Sequence, residues 1–191
     1  MFLKSLSPLA KQQGEVFASH IGYQSTRWNW RLQQEYISGN YSAEVGFIPR
    51  NNYIKLQATG GYLYYTNKET PLLSHGPRVG RTYYFDTDFN KKDQTQQLDY
   101  LFNFKNRSRF TLGIRRQYIE LLTDFDPLRT QIAKLTAGTK HEWNSFTFSY
   151  DAKPQNRFTY SAELITGGYY DNGKRNAFLG EFGYRFQPYL E

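Results

Sequence analysis

Arg27-Trp28-Asn29-Trp30-Arg31-Leu32-Gln33 is the stretch whose reading decides the fold. Successive side chains of an extended chain point to opposite faces. Trp28, Trp30 and Leu32 therefore share one face, and Arg27, Asn29, Arg31 and Gln33 share the other. The same alternation returns at 97–104, 109–118, 146–150, 157–164 and 178–186. No stretch keeps a helical period over about ten or more residues. The chain is read as all-β, with strands near 16–25, 27–37, 52–65, 78–86, 95–105, 108–119, 131–142, 145–152, 157–166 and 176–187. Each has roughly the nine to eleven residues that a tilted strand needs to cross a bilayer, whereas strands of soluble domains more often have about five or six. Register is strictly specified by such a pattern, because a slip of one residue turns a strand's apolar set to the wrong side. Trp28, Trp30, Leu32, Ile54, Leu56, Leu98, Tyr100, Phe102, Leu112, Ile114, Phe146, Phe148, Phe158, Tyr160, Phe178 and Phe182 are accordingly expected on one face of one sheet.

What that face touches, a second sheet or lipid, is narrowed by composition. Aromatic residues make up 18% of the 191 residues, yet the hydrophobic fraction is only 39%. A chain rich in rings and poor in aliphatic bulk is unusual for a soluble core. It suits a transmembrane barrel, whose apolar band is edged by aromatic girdles and whose interior is polar. The mean hydropathy of −0.74, with no apolar run of about 18 residues, excludes membrane helices, but barrel strands alternate and so average to a polar value. Turn signals fall at Ser25-Thr26, Asn106-Arg107, Trp143-Asn144-Ser145 and Asp171-Asn172-Gly173-Lys174, with longer connections at 38–51, 87–94, 120–130 and 153–156. Short and long connections thus tend to alternate, as when one rim of a barrel carries turns and the other loops. The connection 66–77 departs from this.

The formal charge of +7 and pI near 9.4 raise nucleic-acid binding. The basic residues, however, are spread along polar strand faces among acids and form no block, so no nucleic-acid partner is expected. There is no cysteine, which removes disulfides and thiolate metal sites. Met1-Phe2-Leu3-Lys4-Ser5-Leu6-Ser7-Pro8-Leu9-Ala10 lacks the apolar core of a secretory signal. The membrane reading therefore takes 1–191 as a single domain that is an internal fragment of a longer β-barrel domain.

Few constellations offer chemistry. Asp86-Thr87-Asp88-Phe89-Asn90 opens like a calcium loop, with Asp86, Asp88 and Asn90 as oxygen ligands. The motif's later glycine and glutamate are replaced by Lys91 and Gln97, so a solvated loop is the better reading. His20, His75 and His141 are far apart and none pairs at the spacing of a zinc site. Ser74-His75-Gly76-Pro77 reads as a turn. Glu120, Asp124 and Asp126 crowd one loop, where solubility alone explains acids. No catalytic residue and no cofactor is assigned. The polar parity is more informative: Arg27, Arg31, Lys55, Arg109, Arg115, Glu163, Glu181 and Arg185, together with Lys105 and Lys134, are opposite the aromatic face. In a closed barrel they would line the lumen.

Asn40-Tyr41-Ser42-Ala43-Glu44-Val45-Gly46-Phe47-Ile48-Pro49-Arg50-Asn51 resembles the signature "aromatic, two or three residues, Glu, x, Gly-Phe-hydrophobic-x-Arg-Asn/Asp" of an outer-membrane barrel family of Bacteroidota. In that family the barrel, a domain of unknown function, follows a carbohydrate-binding-family-9-like domain. Trp28 and Trp30 before the signature, Ser74-His75-Gly76-Pro77 after it, Glu120-Leu121-Leu122-Thr123-Asp124-Phe125 and the Gly167-Gly168-Tyr169-Tyr170-Asp171-Asn172-Gly173 hairpin are similar to later family features. The resemblance spans about residues 16 to 187. It implies an antiparallel up-and-down transmembrane β-barrel, or a partial barrel of about ten strands, in the bacterial outer membrane. Lipid is then the partner of the aromatic face, and glycans are reached through the family's N-terminal domain. The implied role is transport, pore formation or domain anchoring, with a link to glycan handling. No catalytic residues come with it, although the family is sometimes labelled a membrane-associated hydrolase. A soluble antiparallel sheet binding glycan through flat rows of Tyr and Trp is the alternative.

Overall fold

A computed structural model describes residues 5–6, 13–41, 51–127, 130, 134–152 and 157–186. The signature at 42–50 lies outside the described residues. Among the described residues every element is a strand: β1 (Ser5–Leu6), β2 (Gln13–Gly14), β3 (Val16–Gln24), β4 (Trp28–Ile37), β5 (Tyr53–Tyr62), β6 (Tyr64–Tyr65), β7 (Leu72–Phe85), β8 (Lys91–Phe104), β9 (Arg109–Glu120), β10 (Lys140–Asp151), β11 (Phe158–Tyr169) and β12 (Gly173–Tyr184). Among the described residues β1 pairs with β2 alone. The other ten form one antiparallel sheet in the order β12-β11-β10-β9-β8-β7-β5-β4-β3, with the two-residue β6 beside β7. Each long strand pairs with its sequence neighbour, the simplest meander. β3 and β12 end the path without pairing with each other, so the sheet is open and not a closed barrel. Every pairing is antiparallel. Directions alternate along the path, and β3 and β12 therefore run the same way.

Two sequence expectations are corrected, and the turn expected at 171–174 is found. Trp143-Asn144-Ser145 is not a turn but the middle of β10, where Trp143, Asn144 and Ser145 face Gln117, Arg116 and Arg115 of β9. The ring of Trp143 favours a strand, and Asn without a following Gly has no strong turn demand. The connection between β9 and β10 is accordingly the long stretch 121–139. Ser74-His75-Gly76-Pro77 lies inside β7, paired with Tyr100–Asn103 of β8. Its proline is tolerated because the facing ladder is interrupted at Leu63, between β5 and β6, and Leu63 N donates to Arg27 O at 2.9 Å; a residue without an N–H fits at such a break. Glycine is required beside it, since a Cβ on Gly76 would lie 1.9 Å from the Tyr62 carbonyl oxygen. Finally, the Asn-Gly hairpin places its positive φ on Tyr170 and Asn172, and Gly173 begins β12.

With these corrections the rims sort themselves. One rim carries the connections 25–27, 66–71, 105–108 and 152–157, all short, while the other carries 38–52, 86–90, 121–139 and 170–172, which include the two longest. The excursion 121–139 is closed at its base by Leu121 N to Thr139 O (3.0 Å) and further out by mutual bonds of Phe125 and Leu135 (2.9 and 2.8 Å).

Directly paired residues share a face, so the register can be followed rung by rung. Trp28 meets Tyr62; Pro77 meets Tyr100; Tyr100 meets Leu112; Leu112 meets Phe148; Phe148 meets Leu164; Leu164 meets Phe178. All sixteen residues expected on the aromatic face lie on it, because the ladders through Trp30, Leu32, Leu56, Phe102 and Tyr160 carry the rest. No second layer covers that face among the described residues. Its side chains are exposed or half-exposed, Phe178 by 75% and Phe182 by 76%, and the buried hydrophobic residues among all those described are Ile37, Tyr53 and Leu121. Ile37 and Tyr53 pair with each other on the opposite, polar face.

Candidate functional site

The polar face holds the groups able to do chemistry. Its centre is Asp99 of β8, only 3% exposed. One of its carboxylate oxygens accepts from Arg78 Nε at 3.0 Å and Nη2 at 2.6 Å, and Gln97 Nε2 donates to both oxygens at 2.9 and 2.8 Å. Arg78 and Asp99 are Cα partners on β7 and β8, so register delivers the pair. On the other side Asp99 faces Gly113, where a Cβ would sit 2.7 Å from the carboxylate. A buried carboxylate needs this full set of donors, because an unpaired charge there is costly. Arg115 extends the cluster through Nη2 to Gln97 Oε1 at 3.5 Å, and its buried Nε has no hydrogen-bond partner.

Of the residues expected to line a lumen, Arg31, Lys55, Arg109, Arg115, Glu163 and Glu181 all fall on this face. Arg31 is between Gly22 and Thr59. Lys55 is between Glu35 and Tyr84, its Nζ 5.7 Å from the Tyr84 ring, and Tyr53 donates its hydroxyl to Glu35. Arg109 donates to Asn103 at 3.0 Å and pairs with Asp151. Glu163 stands across from Ser149, and Glu181 across from Ser161. Arg27 lies in the turn before β4 and Arg185 just past β12, where its N donates to Arg157 O at 2.7 Å. Asp151, Glu181 and Arg185 line one groove of about 330 Å³ near the short-turn rim. The others are spread over the sheet and do not converge. Lys105 instead reaches the turn carbonyl of Lys68, and Lys134 is in the 121–139 connection.

A second cluster, on the same face at the loop-bearing rim, joins Trp143, Tyr169, Tyr170, His141 and Phe125. Trp143 is 4.7 Å from Tyr170 and 6.0 Å from Tyr169, while Phe125 and His141 approach Tyr170 at 5.0 and 5.7 Å. Arg175 caps Tyr169 at 5.5 Å. Burial, with Tyr169 and Asp93 nearby, pushes the Tyr170 hydroxyl above its ordinary value. These rings fasten the 121–139 excursion to the β11–β12 turn.

The remaining candidates are used by the fold itself. Asp86 Oδ1 accepts the backbone N–H groups of Asp88 and Asn90 at 3.0 and 2.8 Å, and Oδ2 accepts Asn90 Nδ2 at 3.0 Å. Lys92 Nζ stands 3.6 Å from the same carboxylate. Asp86, Asp88 and Asn90 therefore build a hairpin turn with a lysine where a cation would sit. Desolvation opposes ionisation of Asp86, but the three Asn90 and Asp88 bonds and Lys92 outweigh it and hold the carboxyl below its ordinary value. Among the described residues no group of His, Cys, Asp or Glu is gathered for a metal ion. Glu120 is engaged by Lys92 at 2.6 Å and Lys140 at 3.8 Å, and Asp124 Oδ1 accepts from Ala137 N at 2.9 Å. His75, on the aromatic face, bonds Tyr100 at 2.7 Å, far from His20 and His141 on the polar one.

Arg78, Asp99 and the Trp143 cluster went unnoticed in the sequence. Asp99 between Leu98 and Tyr100 carried the signal, a lone acid of polar parity within an apolar run. No protein-family model, curated protein or solved structure matches this chain.

Proposed function

We propose that this sheet is part of the wall of an antiparallel β-barrel in the bacterial outer membrane, with its aromatic face toward lipid and its polar face toward a hydrated lumen. The role is that of a pore or transport wall, or of an anchor for an attached domain. The observation that carries the reading is the inverted distribution of side chains: a continuous aromatic face stands exposed, while Asp99, Ser74 and Ser145 are buried on the polar face. Exposed apolar area of that extent in water marks an interaction surface. Here it spans the whole sheet rather than a patch.

The arrangement of side-chain types along the strands supports the same reading. Toward the short-turn rim the aromatic face ends in Trp28, Tyr62, Tyr64, His75, Phe102, Phe110, Tyr150 and Tyr160, and toward the loop-bearing rim in Phe17, Tyr36, Tyr83, Phe85 and Tyr118. Ile21, Leu32, Leu56, Val79, Leu98, Ile114 and Leu164 lie between them. Rings at two levels with aliphatics between is the girdle pattern of membrane strands. Completion of a barrel requires further strands, since the sheet is open. The experiment is folding from urea into phosphatidylcholine vesicles against folding in detergent-free buffer. Vesicle-dependent strand signal with protease protection supports the proposal. A monomer that is soluble without amphiphile and binds glycans would replace it by the soluble glycan-binding reading.

A further inference from the structure

We propose that the aromatic face carries a site for the phosphate of an anionic phospholipid, formed by Arg81, Gln96 and Arg116; the proposal rests on the membrane reading above. These residues occupy one rung on three adjacent strands, Arg81 facing Gln96 and Gln96 facing Arg116. They belong to the aromatic face: Arg81 is bracketed on β7 by Val79 and Tyr83, and Arg116 on β9 by Ile114 and Tyr118. Charges on a face turned toward hydrocarbon are costly unless compensated or at the interface. Arg116 is partly compensated through Nε by Glu142. Arg81 makes no ion pair among the described residues.

The surroundings supply what a lipid needs. The next rung toward the sheet centre is Gly60, Val79, Leu98 and Ile114. Both rungs line a single groove of about 520 Å³, within the roughly 300–1,000 Å³ range of small-ligand sites. The groove is open because β5 contributes only Ala58 and Gly60 there. A Cβ on Gly60 would meet nothing closer than 3.9 Å, so this glycine is not demanded by backbone crowding. A polar head between two guanidinium groups with an apolar channel below it matches a phosphate followed by an acyl chain.

Charge and spacing select the ligand. Arg81 and Arg116, with Lys91 standing over the Tyr118 ring, outnumber Glu142 and leave the surroundings net positive, the complement of an anionic phosphodiester. With one strand between them their Cα atoms are about 10 Å apart, and two long guanidinium side chains converge on one phosphate across that span. Gln96 is held by its amide nitrogen to the Tyr83 hydroxyl at 3.4 Å, which orients it between the two arginines. Tyr83 and Tyr118, next toward the rim, are the residue type that sits at headgroup level.

The test uses the whole chain folded into phosphatidylcholine vesicles with and without phosphatidylglycerol. The readout is the relative association constant of the two lipids, measured by spin-labelled lipid exchange. Each arginine is expected to contribute about a fivefold preference for the anionic lipid. Arg81→Gln with Arg116→Gln should abolish most of that preference, and Gly60→Leu should reduce it with both charges intact by filling the channel. Arg107→Gln, in an exposed turn at the opposite rim, should leave it unchanged. An equal loss with Arg107→Gln, no loss with the double variant, or inorganic phosphate in pure phosphatidylcholine competing as well as the lipid would overturn the site. Failure to insert into either vesicle would instead overturn the membrane reading.

Discussion

Leu112→Arg against Thr111→Arg tests which face meets lipid, on adjacent residues of one strand. Leu112 shares its rung with Tyr100 and Phe148, and that rung stays apolar from Trp28 to Phe178. An arginine there has no acid on its face within the rung. Placed near the midplane of a bilayer, it costs about 2–4 kcal/mol, which lowers the folding equilibrium by about 30- to 700-fold. Thr111 points the other way, between Leu101 and Ser149, with Glu163 on the same rung beyond Ser149. Two strand spacings put that carboxylate at about 10 Å, within reach of an arginine side chain across a hydrated surface, so the cost there should be a few tenths of a kcal/mol, like that of a surface substitution. The assay is reversible urea unfolding from vesicles followed by tryptophan fluorescence. Equal destabilisation by the two substitutions, or a larger effect of Thr111→Arg, refutes the assignment of the aromatic face to lipid.

The Arg78–Asp99 pair should respond asymmetrically, because the arginine side chain is 48% exposed and the aspartate 4%. Arg78→Ala strands a buried carboxylate and should cost about 3–5 kcal/mol; Asp99→Ala lets the arginine turn to water and should cost about 1–3 kcal/mol, both read as urea midpoints. For the Asp86 turn, a folded value depressed below 3.8 means that its stabilisation is present above 3.8 and lost as pH falls through the lower folded value. Hydrogen exchange at Asp88 and Asn90 N–H should therefore accelerate in acid, and Asp86→Asn should remove that dependence. The sequence has no cysteine, so pairs introduced at His20 or Gly22 of β3 and at Leu179 or Glu181 of β12 report closure without interference. Even one intervening strand holds such pairs at about 10 Å, beyond the ~7 Å limit for a disulfide, and none should form in the folded state. Ready oxidation of any pair would show the two edges joined directly.

The strands and their faces were legible because period-two alternation is a local signal that tertiary packing cannot easily reverse. Trp28-Asn29-Trp30-Arg31-Leu32 has its side chains where the pattern puts them. Misreadings arose where turn-type residues sit inside strands. Ser74-His75-Gly76-Pro77 has the composition of a turn, and only the break at Leu63 on the neighbouring strand makes room for it. That break is tertiary and has no mark in residues 74–77 themselves. Residues 91–94 fall in the connection assigned at 87–94, yet β8 begins at Lys91 after a bulge at Tyr84/Phe85. There Lys91 lies 4.0 Å over the Tyr118 ring and Lys92 bonds Glu120, partners from β9 that no local reading supplies. The Asp99 cluster was half legible. The parity of Asp99 is visible, and its partner Arg78 opens the strand assigned at 78–86, but only the register of β7 against β8 sets the two side by side.

Two features of the sheet bear jointly on how a barrel would be completed. The first is direction: β3 and β12 run the same way, so an antiparallel ladder joining them needs an odd number of further strands. A second copy related by an axis along the barrel would bring β12 of one against β3 of the other, again in parallel. The second feature is the drift of the apolar band across the rungs. On β4 and β5 the band reaches Tyr36 and Ile54, which share a rung. On the rung of Leu32 it has given way by β7 to Arg81, Gln96, Arg116 and Asn144. On the rung of Trp30 it persists through Phe146 and gives way at Thr166 and Asn176. A level band can cross rungs in one direction only if the strands are tilted to it, and tilt with stagger is what closing a sheet requires. The drift therefore sets a direction of shear that any added strands must continue. Their outward residues should be apolar progressively nearer the short-turn rim beyond β12 and progressively nearer the loop-bearing rim beyond β3. Strands lacking that offset would put charges in the band and leave the edges of β3 and β12 unmatched.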